Sequence, residues 1–279
     1  MNYARIQVQS TGAVGAMISR VNLKDFDDET LAELRHAFAA HSVLFFRDQD
    51  LTPDDHLAFA ERWGDVNVNR FFATVAGYPR IAEVRKSKEQ KFNVGGAWHT
   101  DHSYDPIPAM GSILYAIDVP PVGGDTIFAS TCAAFETLSE GLKDTLLSLN
   151  AVHSSRHVFG PQSQRPQEFD NRFGNEEEAT QDAVHPAVIT HPLSGQKSIY
   201  VNPGFTLHFE GWTEQESKPL LEYLYQHIGR PEHAYRFQWA PGSIAFWDNR
   251  ATWHWAVNDY HGHERLMHRI TLEGEAIAP

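Results

Sequence analysis

The chain has 279 residues, of which 42% are hydrophobic and 21% charged, the composition of an ordinary globular protein with a sizeable core. Its 23 Lys and Arg against 36 Asp and Glu give a net charge of −13, which argues against nucleic acid and anionic membrane as partners. The single Cys132 excludes an intrachain disulfide and suits a reducing cytoplasm.

The opening "MNYARIQVQSTGAVGAMI" lacks a basic region followed by an apolar run, so no signal peptide is expected. "DETLAELRHAFAAHS" (28–42) places Leu31, Leu34, Phe38 and Ala39 on one helical face. "VLFF" (43–46) reads as a buried strand, too short to cross a bilayer. "TPDDHLAFAERWG" predicts a helix with Thr52 as N-cap and Pro53 first in the helix, stopped by Gly64. "MGSILYAIDVP" (110–120) and "GDTIFAS" (124–130) are strand-like and joined by the turn signal "PVGG". Residues 133–149 read as one helix, and the polar, acidic stretch 160–182 as a long loop, expected to be a mobile segment at a pocket mouth. "TEQESKPLLEYLYQHIG" (213–229) carries a capping box, Thr213 with Glu216, and a Pro219 that either kinks the helix or delays its start. Two strands around a "PG" turn follow, and "RLMHRITLEG" is a last strand. With no repeat or linker, one domain over 1–279 is expected: mainly β with flanking helices, of jelly-roll type.

"WHTDHSYD" (98–105) sets His99 and Asp101 two apart, on the same side of an extended segment. An imidazole and a carboxylate suit a divalent metal, and His254 in "DNRATWHWAVND" is the candidate third ligand. Two histidines and one carboxylate form the facial triad of non-haem Fe(II) oxygenases. Arg265 follows, and Arg265, Met267 and Arg269 share one strand face. Two inward arginines are costly unless they meet anions, and a guanidinium binds a carboxylate through two parallel bonds. Thr126 in "GGDT" is placed to add a hydroxyl to the same carboxylate, so the set suits a metal chelated by a 2-oxo acid. Arg269 has an alternative partner in a core carboxylate such as Asp248. Trp98, Trp247, Trp253 and Trp255 read as packing, and His102, His153, His157 and His268 are not assigned to metal.

"WHTD", "GGDT", "WDNRATWH" and "RLMHR" resemble, in order and spacing, the taurine dioxygenase/2,4-D dioxygenase (TauD/TfdA) family of Fe(II)- and 2-oxoglutarate-dependent oxygenases, from about residue 52 to 272. The resemblance implies a double-stranded β-helix (jelly-roll, cupin-like) core. It implies Fe(II) on His99, Asp101 and His254, 2-oxoglutarate on Thr126 and Arg265, O2 as oxidant, and Arg269 on an anionic substrate. It places Phe159 and Phe205 at substrate-pocket positions. Taurine dioxygenases carry an asparagine where this chain has Gly95, and a histidine and a tyrosine that align with Asn69 and Phe72. These departures predict a small anion other than taurine, set against an apolar wall of Phe71, Phe72, Phe159 and Phe205. The expected chemistry is hydroxylation with 2-oxoglutarate going to succinate. Desaturation, ring closure or isonitrile formation on the same core is the alternative, and a non-catalytic metal-binding β-sandwich a more distant one. Self-association into a homo-oligomer is compatible with the sequence.

Overall fold

The computed structural model describes residues 3–161, 163 and 173–279, and opens on two short strands, β1 (Gln7–Ser10) and β2 (Ala16–Ser19). Helix α1 (Asp28–His41) starts where Asp27 accepts the Thr30 amide and ends at Ser42, left-handed at φ 61°. Its buried face is Leu31, Leu34, Ala37 and Phe38, with Ala37 taking the place expected for Ala39. Strand β3 (Val43–Phe46) is buried at every residue. Helix α2 (Pro53–Glu61) has a capping box between Thr52 and Asp55. It ends before Gly64, because the Arg62 and Trp63 amides turn onto the Phe59 and Ala60 carbonyls in a tightened last turn.

Strands β4 (Val66–Asn67), β5 (Thr74–Val75) and β6 (Tyr78–Lys86) precede β7 (Gly111–Asp118) and β8 (Thr126–Ser130). The single helix expected over 133–149 is two, α3 (Thr131–Glu136) and α4 (Glu140–Leu147). The Thr137 hydroxyl folds back onto the Ala133 and Ala134 carbonyls, and Ser139 begins the second helix afresh. Then come β9 (Asn150–Ser154), α5 (Arg156–Phe159), β10 (Asp182–Pro186), β11 (Val188–Thr190), β12 (Lys197–Ile199) and β13 (Thr206–Phe209). Of the expected mobile segment 160–182, residues 162 and 164–172 lie outside the described residues. Helix α6 (Glu214–Ile228) starts at the Thr213 capping box and runs through Pro219, which neither delays nor ends it. The last strands are β14 (Ala234–Phe237), β15 (Ile244–Asp248), β16 (Thr252–Ala256) and β17 (Arg265–Leu272). The "PG" turn joins β14 to β15, but the two strands belong to different sheets and do not pair.

The large sheet runs β1-β2-β3-β15-β7-β17-β6-β5, with β4 also on β17. A smaller sheet, β14-β8-β16, faces it. Period-two alternation sorts the large sheet's side chains. Ile113, Tyr115, Ile244, Phe246, Ile270 and Leu272 pack with Leu34, Phe38, Leu57 and Phe59 of α1 and α2. Leu114, Ala116, Ala245, Trp247 and Met267 point the other way, onto Phe128 and Phe237 of the smaller sheet. The two facing sheets make a jelly-roll core that is mainly β with flanking helices, and the site opens between them. Among the described residues no helix is long and apolar enough to cross a membrane.

Candidate active site

His99 and His254 stand opposite one another in a β-bridge. Each donates its amide to the other's carbonyl, at 3.1 and 2.8 Å, and their rings lie 4.1 Å apart. The residue between the first two candidate ligands is an anchor: buried Thr100 donates Oγ1 to the Asn249 carbonyl at 2.6 Å. With Thr100 turned towards the 248–252 turn, His99 and Asp101 both face the cavity. Asp101 Oδ1 lies 3.7 Å from His99 Nε2 and 4.0 Å from His254 Nε2. The three ligand atoms are all within 4.8 Å of one another, a spacing that can hold one metal ion. His99 Nδ1 meets the Ala97 carbonyl at 2.8 Å, and a carbonyl only accepts, so the proton sits on Nδ1 and the Nε2 lone pair faces the group. Burial, helped by His99, pushes His254 well below its usual range and keeps it the neutral imidazole a metal requires. Burial alone would raise Asp101, but the surrounding positive charge, Arg269 first, more than offsets it and holds the carboxylate ionised.

Two glycines press on His99. A side chain at Gly95 (φ +74°) would put its Cβ 3.1 Å from His99 Cε1, and one at Gly204 would come within 2.8 Å of His99 Cβ. The cavity in front of the triad has a volume of about 280 Å³, and Gly95, Thr126, Arg265 and Arg269 all line it. Arg265 is 4% exposed, and its Nε and Nη2 have no hydrogen-bond partner among the described residues. Burial lowers its pKa, opposed by Tyr260 and Asp125. Thr126 Oγ1 accepts from Trp239 Nε1 at 3.0 Å, which leaves its own proton free to donate. A guanidinium with unmet donors and a free hydroxyl proton lining the same cavity are able to hold a carboxylate.

Arg269 does not pair with Asp248. Its Nη1 lies 3.4 Å from Asp101 Oδ2, and its guanidinium sits 4.3 Å from the Phe72 ring centre. Phe72, Phe159 and Phe205 line the cavity as expected. Phe71 does not; it stacks behind Phe159 at 4.4 Å and supports the wall. Asn69 is also absent from the lining, because its Oδ1 accepts the Phe71 and Phe72 amides, each at 3.0 Å. Tyr104, Val158 and Phe173 complete the apolar wall and were missed in the sequence. A Phe in an acidic stretch, as Phe173 is, was the available signal. His102 lines the cavity, but its Nδ1 is engaged by Asp105 at 2.9 Å.

Asp248 braces the turn that leads into β16, the strand of His254. Its carboxylate takes the Arg250 amide and guanidinium and His191 Nε2, all at 2.8–2.9 Å. Asp248 and Arg250 are 0% and 2% exposed, so removing one partner strands a buried charge. Asp248→Ala should therefore lower stability by about 3–5 kcal/mol, read as a shifted urea midpoint. Burial would raise the Asp248 pKa, but Arg250 and His191 hold it low. Its stabilisation is thus complete above the unfolded carboxylate range, about pH 4, and lost as pH falls towards the folded value.

Two imidazoles and one carboxylate leave half of an octahedral metal's positions free, the arrangement of the non-haem iron oxygenases. Residues 7–271 match the family described as Taurine catabolism dioxygenase TauD, TfdA family. The chain is 36% identical over 270 residues to the alkylsulfatase of Acinetobacter baylyi, covering 95% of this chain and 84% of that protein. It is 32% identical over 270 residues to an alpha-ketoglutarate-dependent sulfate ester dioxygenase of Pseudomonas putida, covering 95% and 88%. The crystal structure of a taurine dioxygenase from Burkholderia xenovorans superposes with a TM-score of 0.84 at 33% identity, over 99% of this chain and 93% of that one. The chain belongs to the TauD/TfdA family. It is an oxidoreductase, a dioxygenase of the class that uses Fe(II), 2-oxoglutarate and O2.

Proposed function

We propose that the protein hydroxylates a small organic anion with an apolar body, such as a sulfate ester, a sulfonate other than taurine, or a carboxylate. His99, Asp101 and His254 hold the iron, Thr126 and Arg265 hold 2-oxoglutarate, and Arg269 takes the substrate's anionic head. The observation that carries this reading is the three-atom metal-sized group beside a buried guanidinium with unmet donors. Bound there, iron with 2-oxoglutarate and O2 supplies the oxidation of an unreactive C–H bond, giving succinate and CO2.

The chain's own residues supply position and dryness. Arg265 and Thr126 fix the far carboxylate of the co-substrate on the sheet wall. Arg269 turns the substrate's charged end inward, so that the carbon beside the anion faces the triad. Phe72, Phe159, Phe173 and Phe205 cover the rest and exclude water. A carbon hydroxylated beside a sulfate ester oxygen releases sulfate and leaves an aldehyde, and a hydroxylated sulfonate carbon releases sulfite.

The relatives named for sulfate esters support this substrate class, as do the positions where polar grip is missing. Gly95 has no side chain, Phe72 has no hydroxyl, and Asn69 points elsewhere, so none of these three positions offers a partner to an ammonium. A site that leaves a buried charge unpaired discriminates strongly against it. In a panel of taurine, longer sulfonates, alkyl sulfates and aryloxy- or alkyl-carboxylates, read by succinate formation, the larger apolar anions should lead in kcat/KM. Taurine in first place would overturn the reading of the pocket.

A further inference from the structure

Asp101 presents its two oxygens to different company. Oδ1 faces the His99 and His254 imidazoles. Oδ2 points away from them and meets Ser112 Oγ at 3.1 Å and Arg269 Nη1 at 3.4 Å. Ser112 sits on β7, 0% exposed, between Trp247 of β15 and Thr271 of β17 in the sheet register. It shares the inner face with Leu114 and Ala116, where an unpaired hydroxyl would be costly. The histidines are fixed by their backbone bridge. Asp101 lies in a turn and is fixed through its side chain, by two donors from the opposite sheet.

We propose that Ser112 is a positioning residue for the metal: with Arg269 it holds Oδ2 and restricts Asp101 to ligation through Oδ1 alone. The proposal rests on the metal site put forward above. One oxygen per carboxylate matters for the count of coordination positions. Three single-atom ligands would leave a six-coordinate metal three positions for the co-substrate and O2. A carboxylate free to rotate would bind through both oxygens and occupy one of the three. Partners of this kind, behind a metal ligand, typically change affinity by about 10–100-fold.

The test uses the full chain and Mn(II), with the free ion followed by its electron paramagnetic resonance signal. Ser112→Ala should weaken Mn(II) binding by about 10–100-fold. Ser112→Thr, which keeps the hydroxyl, should stay close to wild type. The visible spectrum of the Co(II)-loaded chain, which reports coordination geometry, should change in the alanine variant and not in the threonine one. Unchanged Mn(II) affinity and Co(II) spectrum in Ser112→Ala would overturn the proposal. So would equal losses in both variants together with a lowered Tm of the metal-free chains, which would make Ser112 a packing residue. Asp101→Ala is the separate control. If it binds Mn(II) as wild type does, the metal site itself is wrong, whatever Ser112 does.

Discussion

Replacing His99 with alanine is expected to abolish metal binding and succinate formation while leaving the fold intact. His99 meets His254 through the backbone, and those two hydrogen bonds do not need the imidazole. Its ring meets the Ala97 carbonyl and lines the cavity, so the space its loss leaves falls on the cavity wall and not in the core between sheet and helices. Asp101→Ala should abolish both activities too, but with lower stability. It removes the partner of Arg269, whose Nε already has no acceptor among the described residues, and leaves a largely buried guanidinium uncompensated. The pair of variants therefore separates ligation from folding. Calorimetric titration with Mn(II), coupled succinate assays and thermal unfolding check it. Metal binding retained by His99→Ala would remove that residue from the site.

Arg265→Lys should raise the KM for 2-oxoglutarate by about 10–100-fold with metal affinity unchanged. A lysine keeps the charge but has no planar fork, so one charge-assisted hydrogen bond, about 1.5–3 kcal/mol, is lost. Arg265 lies beside Trp239 rather than against the triad, its guanidinium 5.6 Å from that ring centre, so the metal does not depend on it. An unchanged KM for 2-oxoglutarate would move the carboxylate role to Arg269. A simultaneous loss of metal would mean that the wall around Trp239 also shapes the triad.

The local signals in the sequence were reliable where one residue decides one bond. Thr52 and Thr213 cap their helices as read, because a cap is a contact over three residues. The alternation of Arg265, Met267 and Arg269 held, since the register irregularity beside it falls opposite, on β7. The grouping of His99, Asp101 and His254 was foreshadowed because the first two sit two apart, with Thr100 turned away between them. What the sequence did not disclose depends on distant chain. Thr100 is explained by the Asn249 carbonyl, and Ser112 by an Asp101 oxygen that arrives from a separate turn. Asn69 looked available for substrate until its oxygen was seen to cap the Phe71 and Phe72 amides, a competition that short polar side chains usually win for the backbone. The break in residues 133–149 has the same cause, with Thr137 turned back on its own helix.

The strand order has a consequence for the order of synthesis. β15 lies between β3 and β7, and β17 between β7 and β6. Before residues 244–272 have been made, β3, β7 and β6 have no sheet bonds to one another. Closing those gaps brings together segments up to about two hundred positions apart, which is slow and happens late. A growing chain on the ribosome therefore carries His99 and Asp101 without the histidine, the two arginines or the sheet that complete them. On the metal site proposed above, iron met at that stage would find two of its three ligands and no place for the co-substrate. The capacity to activate oxygen thus arrives last, together with the walls that confine it.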